Sequence, residues 1–277
     1  MIAYLRARSA GGRLLMRIED LDHPRDKPGA AQEALEDLRW LGFEWDGEPV
    51  VQSERKEFYR EAIGKLREKG LAYPCVCSRR DVIAAQSAPH DGEQLYYPGT
   101  CRGKHASFPP GACWRFRVDG DSRVAFDDAF AGGYAQDVGE TLGDFPLARD
   151  EGGAGYTLAV VVDDAAAGVT EVVRADDLLP ATPAQILVAR ALGLPSPGYC
   201  HVPLVVGEDG RRLAKRHGDT RIAGYRAAGV KPEKIVGYLA STCGWAEPGE
   251  EIALAGLVPR FTLDTIPREP VVARFMV

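Results

Sequence analysis

Apolar positions along the chain alternate between two kinds of pattern. In LLMRIEDLDHPR (residues 14–25), Leu14, Leu15, Met16 and Ile18 form a short apolar run that ends in Glu19, Asp20 and Asp22. A short run of this kind predicts a core strand. In AAQEALEDLRWL (30–41), Ala31, Ala34, Leu35, Leu38 and Leu41 recur at helical spacing, and Gly42 follows as a stop. Residues 54–70 repeat that period, with Phe58, Ala62, Ile63 and Leu66 expected to face inward and Gly70 to close the helix. This opening reads as α/β.

The pattern changes after Leu71. Residues 72–105 are rich in Cys, Tyr, Pro and Gly, and CWRFRVDGDSRVAF alternates on either side of a Gly-containing turn, which predicts a hairpin. The stretch 72–145 is therefore expected to be an insertion into the α/β unit. YTLAVVV (156–162) is continuously apolar and suits a central parallel strand, with Asp163 and Asp164 ending it as the acids end the first strand. VTEVV (169–173) predicts a further strand. A helix over 183–192 is marked by Thr182 as N-cap, Pro183 at the first position and Gly193 beyond the end. VPLVVGEDGRRL predicts a strand and an Asp209-Gly210 turn, followed by helices near 219–228 and 232–242 and an extended tail containing PREPVV.

Composition narrows the function classes. At 277 residues the chain has room for two or three packed units. No apolar run approaches the roughly 20 residues that span a bilayer. The start, MIAYLRARSAGG, does not read as a signal peptide, because Arg6 and Arg8 follow the apolar positions and no cleavage-like site appears. A cytoplasmic protein without a membrane partner is expected. The net charge of −6 argues against non-specific coating of nucleic acid, although a local basic face is compatible with it. Six cysteines do not suggest a disulfide framework in this setting.

The chemistry-bearing residues fall into three groups. Cys75, Cys77 and, after a loop, Cys101 have the make-up of a thiolate zinc site, with His90 and His105 as ordinary candidates for a fourth ligand; reduced, partly buried cysteines are the competing reading. Cys113, Cys200 and Cys243 read as isolated, buried apolar residues. Glu19, Tyr156 and Arg174 lie at predicted strand edges or ends. An acid can hold an ammonium group, an arginine can grip a carboxylate in bidentate fashion, and a tyrosine hydroxyl can bond between them. Such a set suits an amino acid with a carboxylate side chain, against the plainer reading of solvated strand ends. Finally, GRRLAKRHGDT (210–220) carries Arg211, Arg212, Lys215, Arg216 and His217 on a Gly-flanked stretch suited to polyphosphate, or to a solvated basic turn.

These segments together resemble a known family. GGRLLMRIEDLDHPR, LEDLRWLGFEWD, VVQSERKEFY, YTLAVVVDDAAAGVTEVVRADDLLPATPAQILVARALG and HVPLV with GRRLAKRHGDT follow, in order, the catalytic domain of glutamyl-tRNA synthetases. YPCVCSRRDV with YYPGTCRG, and the short IPREP ending, are most similar to the glutamyl-Q tRNA(Asp) synthetases, the branch that lacks an anticodon-binding domain and glutamylates queuosine in the tRNA(Asp) anticodon. The resemblance implies a class I aminoacyl-tRNA synthetase-like Rossmann domain, with an inserted zinc-binding subdomain and a mostly helical C-terminal part. Its expected divisions are 1–71, 72–145, 146–195 and 196–277. It implies that Glu19, Tyr156 and Arg174 bind glutamate, that Lys215 contacts ATP and is the catalytic lysine, and that Cys75, Cys77, Tyr97 and Cys101 ligate one structural zinc. Tyr97 thereby replaces the histidine candidates. Asp20 and Asp22 are left to hold the loop. ATP with Mg²⁺, glutamate and queuosine-bearing tRNA(Asp) are the implied partners of a monomer.

Two departures accompany the resemblance. The lysine-rich signature loop of the family begins with Lys, where this chain has Arg212. The family also starts with a strand, a Pro-rich turn and a His-x-Gly-His signature, which nothing ahead of MIAYLRARSAGG supplies; the 1–71 portion is expected to be N-terminally incomplete, and activity of the chain as given is open. A fragment of a glutamyl-tRNA synthetase and an inactive RNA- or amino-acid-binding paralogue are the competing functions.

Overall fold

The computed structural model describes residues 1–21, 29–84, 95–150, 153–211 and 222–273. Helix α1 (Ile2–Ser9) precedes strand β1 (Arg17–Ile18), which pairs in parallel with β2 (Val50–Val51) across the intervening helix α2 (Ala30–Trp40). The apolar run expected to form a core strand contributes only those two residues to a ladder, and Leu15 is exposed. Helix α3 (Lys56–Glu68) buries Tyr59, Ala62, Ile63 and Leu66, as its period predicts, except that Tyr59 takes the inward place expected of Phe58. The reason is polar: the Tyr59 hydroxyl donates to buried Asp163 at 2.9 Å, while Phe58 stays outside beneath the Arg55 guanidinium.

Strand β3 (Ala72–Cys75) and the short helix α4 (Arg79–Ala84) lead to β4 (Cys113–Phe116), β5 (Arg123–Asp128), β6 (Gly132–Asp137), the single-turn α5 (Val138–Thr141) and β7 (Phe145–Ala148). The hairpin expected between β4 and β5 does not form. β4 pairs antiparallel with β3 and β7, whereas β5 turns into β6. The linker explains the divergence. Arg117 N donates to Leu71 O, Val118 N donates to the Asp144 carboxylate, and Ser122 O accepts from Val138 N. Its backbone groups are thus satisfied outside the would-be turn.

YTLAVVV is helical, contrary to the strand expectation: α6 spans Tyr156–Ala167. A short apolar run cannot by itself separate a strand from a buried helix. Here Asp163 does not end the element. It lies buried inside it, accepting from Gln52, Arg55 and Tyr59, and Asp164 beside it pairs with Arg17. Gly168, at φ +67°, closes the helix.

Strand β8 (Glu171–Ala175), helix α7 (Thr182–Leu192) and β9 (Gly198–Val202) form a βαβ unit whose strands pair in parallel over five residues. The N-cap of α7 is Ala181, not Thr182, whose hydroxyl is used elsewhere. The sheet order is β6-β5-β9-β8, so the β5–β6 hairpin, although it falls within 72–145, shares a sheet with β8 and β9. β10 (Val205–Val206) pairs in parallel with β11 (Val271–Val272), which carries the tail; α8 (Ile222–Ala227) and α9 (Pro232–Ser241) lie between them in sequence. One apolar core joins α3, α6 and α7 to β4, β5, β7 and β9; a second joins α1 and α9 to residues 254–260. Among the described residues no helix is long and apolar enough to cross a membrane.

Candidate functional site

The β8–β9 register sets Arg174 directly opposite His201. Their side chains meet: Arg174 Nε lies 2.9 Å from His201 Nε2. Arg174 Nη2 donates to Thr182 Oγ1 and to Gln185 Oε1, both at 2.8 Å and both from the first turn of α7. Nη1 reaches the Tyr156 hydroxyl at 3.4 Å. Behind the histidine, Asp128 at the end of β5 takes His201 Nδ1 at 2.6 Å, the His201 backbone N–H, and the N–H groups of Phe130 and Ala131. Burial by itself would raise the Asp128 pKa, but these donors together hold it below the ordinary carboxylate value. His201 is pushed below its ordinary value, first by burial and then by the Arg174 charge, against the pull of Asp128.

The structure thus brings Tyr156 and Arg174 together, with Tyr156 at the first turn of α6 rather than at a strand edge. Desolvation raises the Tyr156 pKa, which keeps its hydroxyl protonated. Glu19 touches neither. It accepts from Arg17 at 3.1 Å and is exposed, although its charge reaches the Tyr156 hydroxyl. Glu19 instead lines a cavity of about 910 Å³ whose wall includes Arg17, Arg55, Asp163 and Asp164 and both the β1 and β8 segments. Asp20 holds the loop, as expected, by accepting from the Ser53 N–H and hydroxyl. Asp22, Lys215 and the rest of the basic stretch from Arg212 lie outside the described residues, as does His90.

Asp128, Thr182, Gln185 and His201 were not legible as site residues in sequence. Their one signal is that four polar residues stand in apolar surroundings, and all four are buried. The Gln185 Nε2 is buried without a partner among the described residues. Its amide cannot turn over to find one, because Oε1 is committed to Arg174.

The second centre is sulfur-rich. Cys75 at the end of β3, Cys77 and Cys101 place their sulfurs within 4.8 Å of one another. Tyr97 Oη sits 3.2 Å from Cys75 Sγ and 3.4 Å from Cys77 Sγ, and accepts the Cys101 N–H. Zinc–sulfur bonds near 2.3 Å separate the thiolates of a tetrahedron by about 3.8 Å, and Cys77 and Cys101 are 3.5 Å apart. The group fits a tetrahedral cation. His105 is not part of it. Cys113, expected to stand alone, is the cross-strand partner of Cys75, and its thiol is the main cause of a Cys75 pKa well below the usual thiol range. Spacing in sequence cannot reveal a ladder partner. Arg115 adds a cation, donating to Cys75 Sγ at 3.2 Å and stacking over the Tyr97 ring.

Residues 1–264 match the family model described as tRNA synthetases class I (E and Q), catalytic domain. The chain belongs to that family. It is 47% identical to a glutamyl-Q tRNA(Asp) synthetase of Symbiobacterium thermophilum, over 98% of this chain and 88% of the relative. It is 44% identical to one of Rhodopirellula baltica, over 98% and 90% respectively. Among solved structures, it superposes on a glutamate tRNA ligase from Elizabethkingia meningosepticum, in complex with its amino acid, with a TM-score of 0.79 at 24% identity. That superposition covers 97% of this chain but 62% of the other, less than two thirds of its length, and bears on fold alone.

Proposed function

We propose that this synthetase-family chain activates glutamate with ATP and transfers the glutamyl group to queuosine in the anticodon of tRNA(Asp), in the cytoplasm and as a monomer. In the first step a carboxylate oxygen of glutamate attacks the α-phosphorus of ATP, and the bond to the β-phosphate oxygen breaks to release pyrophosphate. In the second, a hydroxyl of queuosine attacks the activated carbonyl, loses its proton, and AMP departs. Such chemistry rests on positioning and charge stabilisation more than on a general base.

The observation that carries this reading is the Arg174–Tyr156 pair. The guanidinium has five N–H groups. One on Nε and two on Nη2 are committed inside the protein, and one on Nη1 points to Tyr156. The last Nη1 N–H and the Tyr156 O–H are a two-point donor pair for the side-chain carboxylate of glutamate. The grip is thus shared between two residues instead of being a fork from arginine alone. Glu19 supplies the negative charge for the ammonium group, and Lys215 the positive charge for the ATP phosphates, which Mg²⁺ accompanies. Cys75, Cys77, Cys101 and Tyr97 hold a structural zinc, whose net anionic set Arg115 offsets.

Two assays test this. Glutamate-dependent ATP–pyrophosphate exchange by the purified chain, absent with glutamine or aspartate, supports the first step; exchange with another amino acid in place of glutamate overturns it. Labelled glutamate should be transferred to tRNA from queuosine-containing cells and not to tRNA lacking the base. Equal transfer to both would exclude queuosine as the acceptor.

A further inference from the structure

We infer that Asp128 and His201 are positioning residues that set the hydrogen-bond polarity of the carboxylate site, by keeping a neutral imidazole with its bare nitrogen toward Arg174. The inference rests on the reading of Arg174 as a carboxylate-binding group and extends it to residues that touch no substrate.

Hydrogen positions follow from the partners. A guanidinium only donates, so His201 Nε2, 2.9 Å from Arg174 Nε, must accept. A neutral imidazole has one N–H, which is then on Nδ1. Asp128 Oδ2 lies 2.6 Å from that atom and accepts it. Asp128 is itself fixed by backbone donors from Phe130, Ala131 and His201 and cannot rotate away without stranding them. The order of polarity runs carboxylate, Nδ1–H, bare Nε2, guanidinium N–H. Thr182 and Gln185 take both Nη2 hydrogens, so the guanidinium plane is fixed along two of its three sides and only Nη1 faces Tyr156. With Nε and Nη2 occupied, the arginine is left to contribute a single N–H beside the tyrosine hydroxyl, a geometry set by the framework before any ligand arrives.

The charged groups that face His201 pull in opposite directions: Arg174 disfavours the imidazolium, Asp128 and Asp176 favour it, and burial together with Arg174 prevails. Asp128 comes from β5, Arg174 from β8 and Asp176 from the turn after β8. Thr182 and Gln185, from α7, are neutral, and Tyr199 on the same strand has its pKa pushed up to about 12. Protonating His201 would place an N–H against the Arg174 N–H with like charges in contact. The grip is therefore lost as pH falls, not as it rises.

The experiment uses the full chain and glutamate-dependent ATP–pyrophosphate exchange, with D128N, H201Q, H201N and R174A. D128N is near-isosteric. Its Oδ1 stays with the backbone donors of Phe130 and Ala131, which turns the amide NH₂ toward Nδ1, forces the other tautomer and sets two donors face to face. It should raise the KM for glutamate about 10- to 100-fold, the effect of leaving one buried group unsatisfied, with the KM for ATP unchanged. H201Q places an amide oxygen near the position of Nε2 and should keep the glutamate KM within a few-fold while abolishing its rise at low pH. H201N reaches only toward Asp128 and should behave like D128N. A D128N protein with unaltered glutamate KM overturns the inference, and so does an H201Q protein with the same pH dependence as the parent. If R174A leaves the glutamate KM unchanged, it is the reading of the site that falls. The relay is then judged by ¹⁵N NMR of the His201 ring, where an Nε2-protonated tautomer refutes it. Should D128N fail to fold, H201Q and the NMR tautomer decide alone.

Discussion

Arg174 and the Cys75–Cys77–Cys101 thiols are both polar centres embedded in protein, but they are satisfied in opposite ways. Arg174 faces acceptors from three elements: Tyr156 on α6, Thr182 and Gln185 on α7, and His201 on β9. The thiols face one another and a tyrosine hydroxyl whose pKa is driven up by burial and then by those same thiols. Thiols are weak donors and weak acceptors alike, and the one cation that reaches them among the described residues, Arg115, bonds Cys75 alone of the three. The arginine site is preorganised by the chain itself, whereas the sulfur site calls for a cation to become a stable set of partners.

That contrast is tested hardest at the metal. Freshly prepared, chelator-free protein should carry about one zinc per chain, and Cys101→Ala should lose it. Metal-coupled ordering is worth on the order of 10 kcal/mol in small zinc modules. Hydrogen exchange over residues 72–84 and 95–105 should therefore rise sharply on chelation, while exchange in β8 and β9 stays slow. Metal analysis finding no zinc, or equal loosening of both regions, would remove the distinction.

Arg174→Ala comes next in size. Removing one partner of a poorly solvated ion pair costs roughly 3–5 kcal/mol, equivalent to about a hundred-fold to several thousand-fold in affinity. The glutamate KM should rise by that order, with the ATP KM little changed, and Arg174→Lys should rescue little because a point charge cannot bond His201, Thr182, Gln185 and Tyr156 together. A surface role for Arg174 predicts unaltered kinetics. The complementary change is Lys215→Ala, which should lower kcat chiefly, since charge on the phosphates matters most as they reorganise.

A smaller effect belongs to the sulfur region alone. Gly143, at φ +63°, brings its Cα close to Tyr97, and an added Cβ would lie 2.1 Å from the Tyr97 carbonyl oxygen. Tyr97 is held there by its N–H on Leu142 O and by Asp144 N on its own carbonyl. Gly143→Ala should cost about 1–2 kcal/mol for the left-handed backbone alone, displace Tyr97 and weaken zinc retention in a competition titration. Glutamate KM should not move. Unchanged zinc affinity would mean that Tyr97 is dispensable to the metal.

The same contrast explains what could be read from sequence. Amphipathic helices α2 and α3 and the strand β8 follow from period and stop signals, because each depends on local pattern. The thiol group was legible because CxC and a third cysteine are chemically conspicuous. Helix α6 was not, since its buried Asp163 mimics an end signal unless its partners Gln52, Arg55 and Tyr59, over a hundred residues away, are known. The missing β4–β5 hairpin and the Cys75–Cys113 pairing have the same origin in non-local backbone partners. Arg174 and Tyr156 were singled out by residue type and position and given their role by family likeness, but the framework that aims them is a product of β-ladder register, which no local pattern encodes.

The smallest expected effect is thermodynamic and belongs to the arginine region alone. The folded state holds the His201 pKa below the unfolded value of 6.5, through burial first and then the Arg174 charge. Between that depressed value and 6.5, the unfolded chain binds the proton and the folded chain does not. Stability therefore rises with pH across this window and is lost as pH falls through it, with a slope of at most about 1.4 kcal/mol per pH unit for one proton. Asp128 acts in the same direction but lower. Its folded pKa lies below the ordinary 3.8, so its contribution is present above that value and is lost only as pH falls beneath it. Urea unfolding of the parent chain and of H201Q at a series of pH values between 7 and 4 separates the two. The parent should lose stability from about pH 6.5 downward, H201Q should lose less over that range, and the two curves should run parallel once only carboxylates titrate. Parallel curves throughout would mean that His201 is protonated as easily in the folded protein as in the unfolded one, and the bare Nε2 facing Arg174 would have to be abandoned.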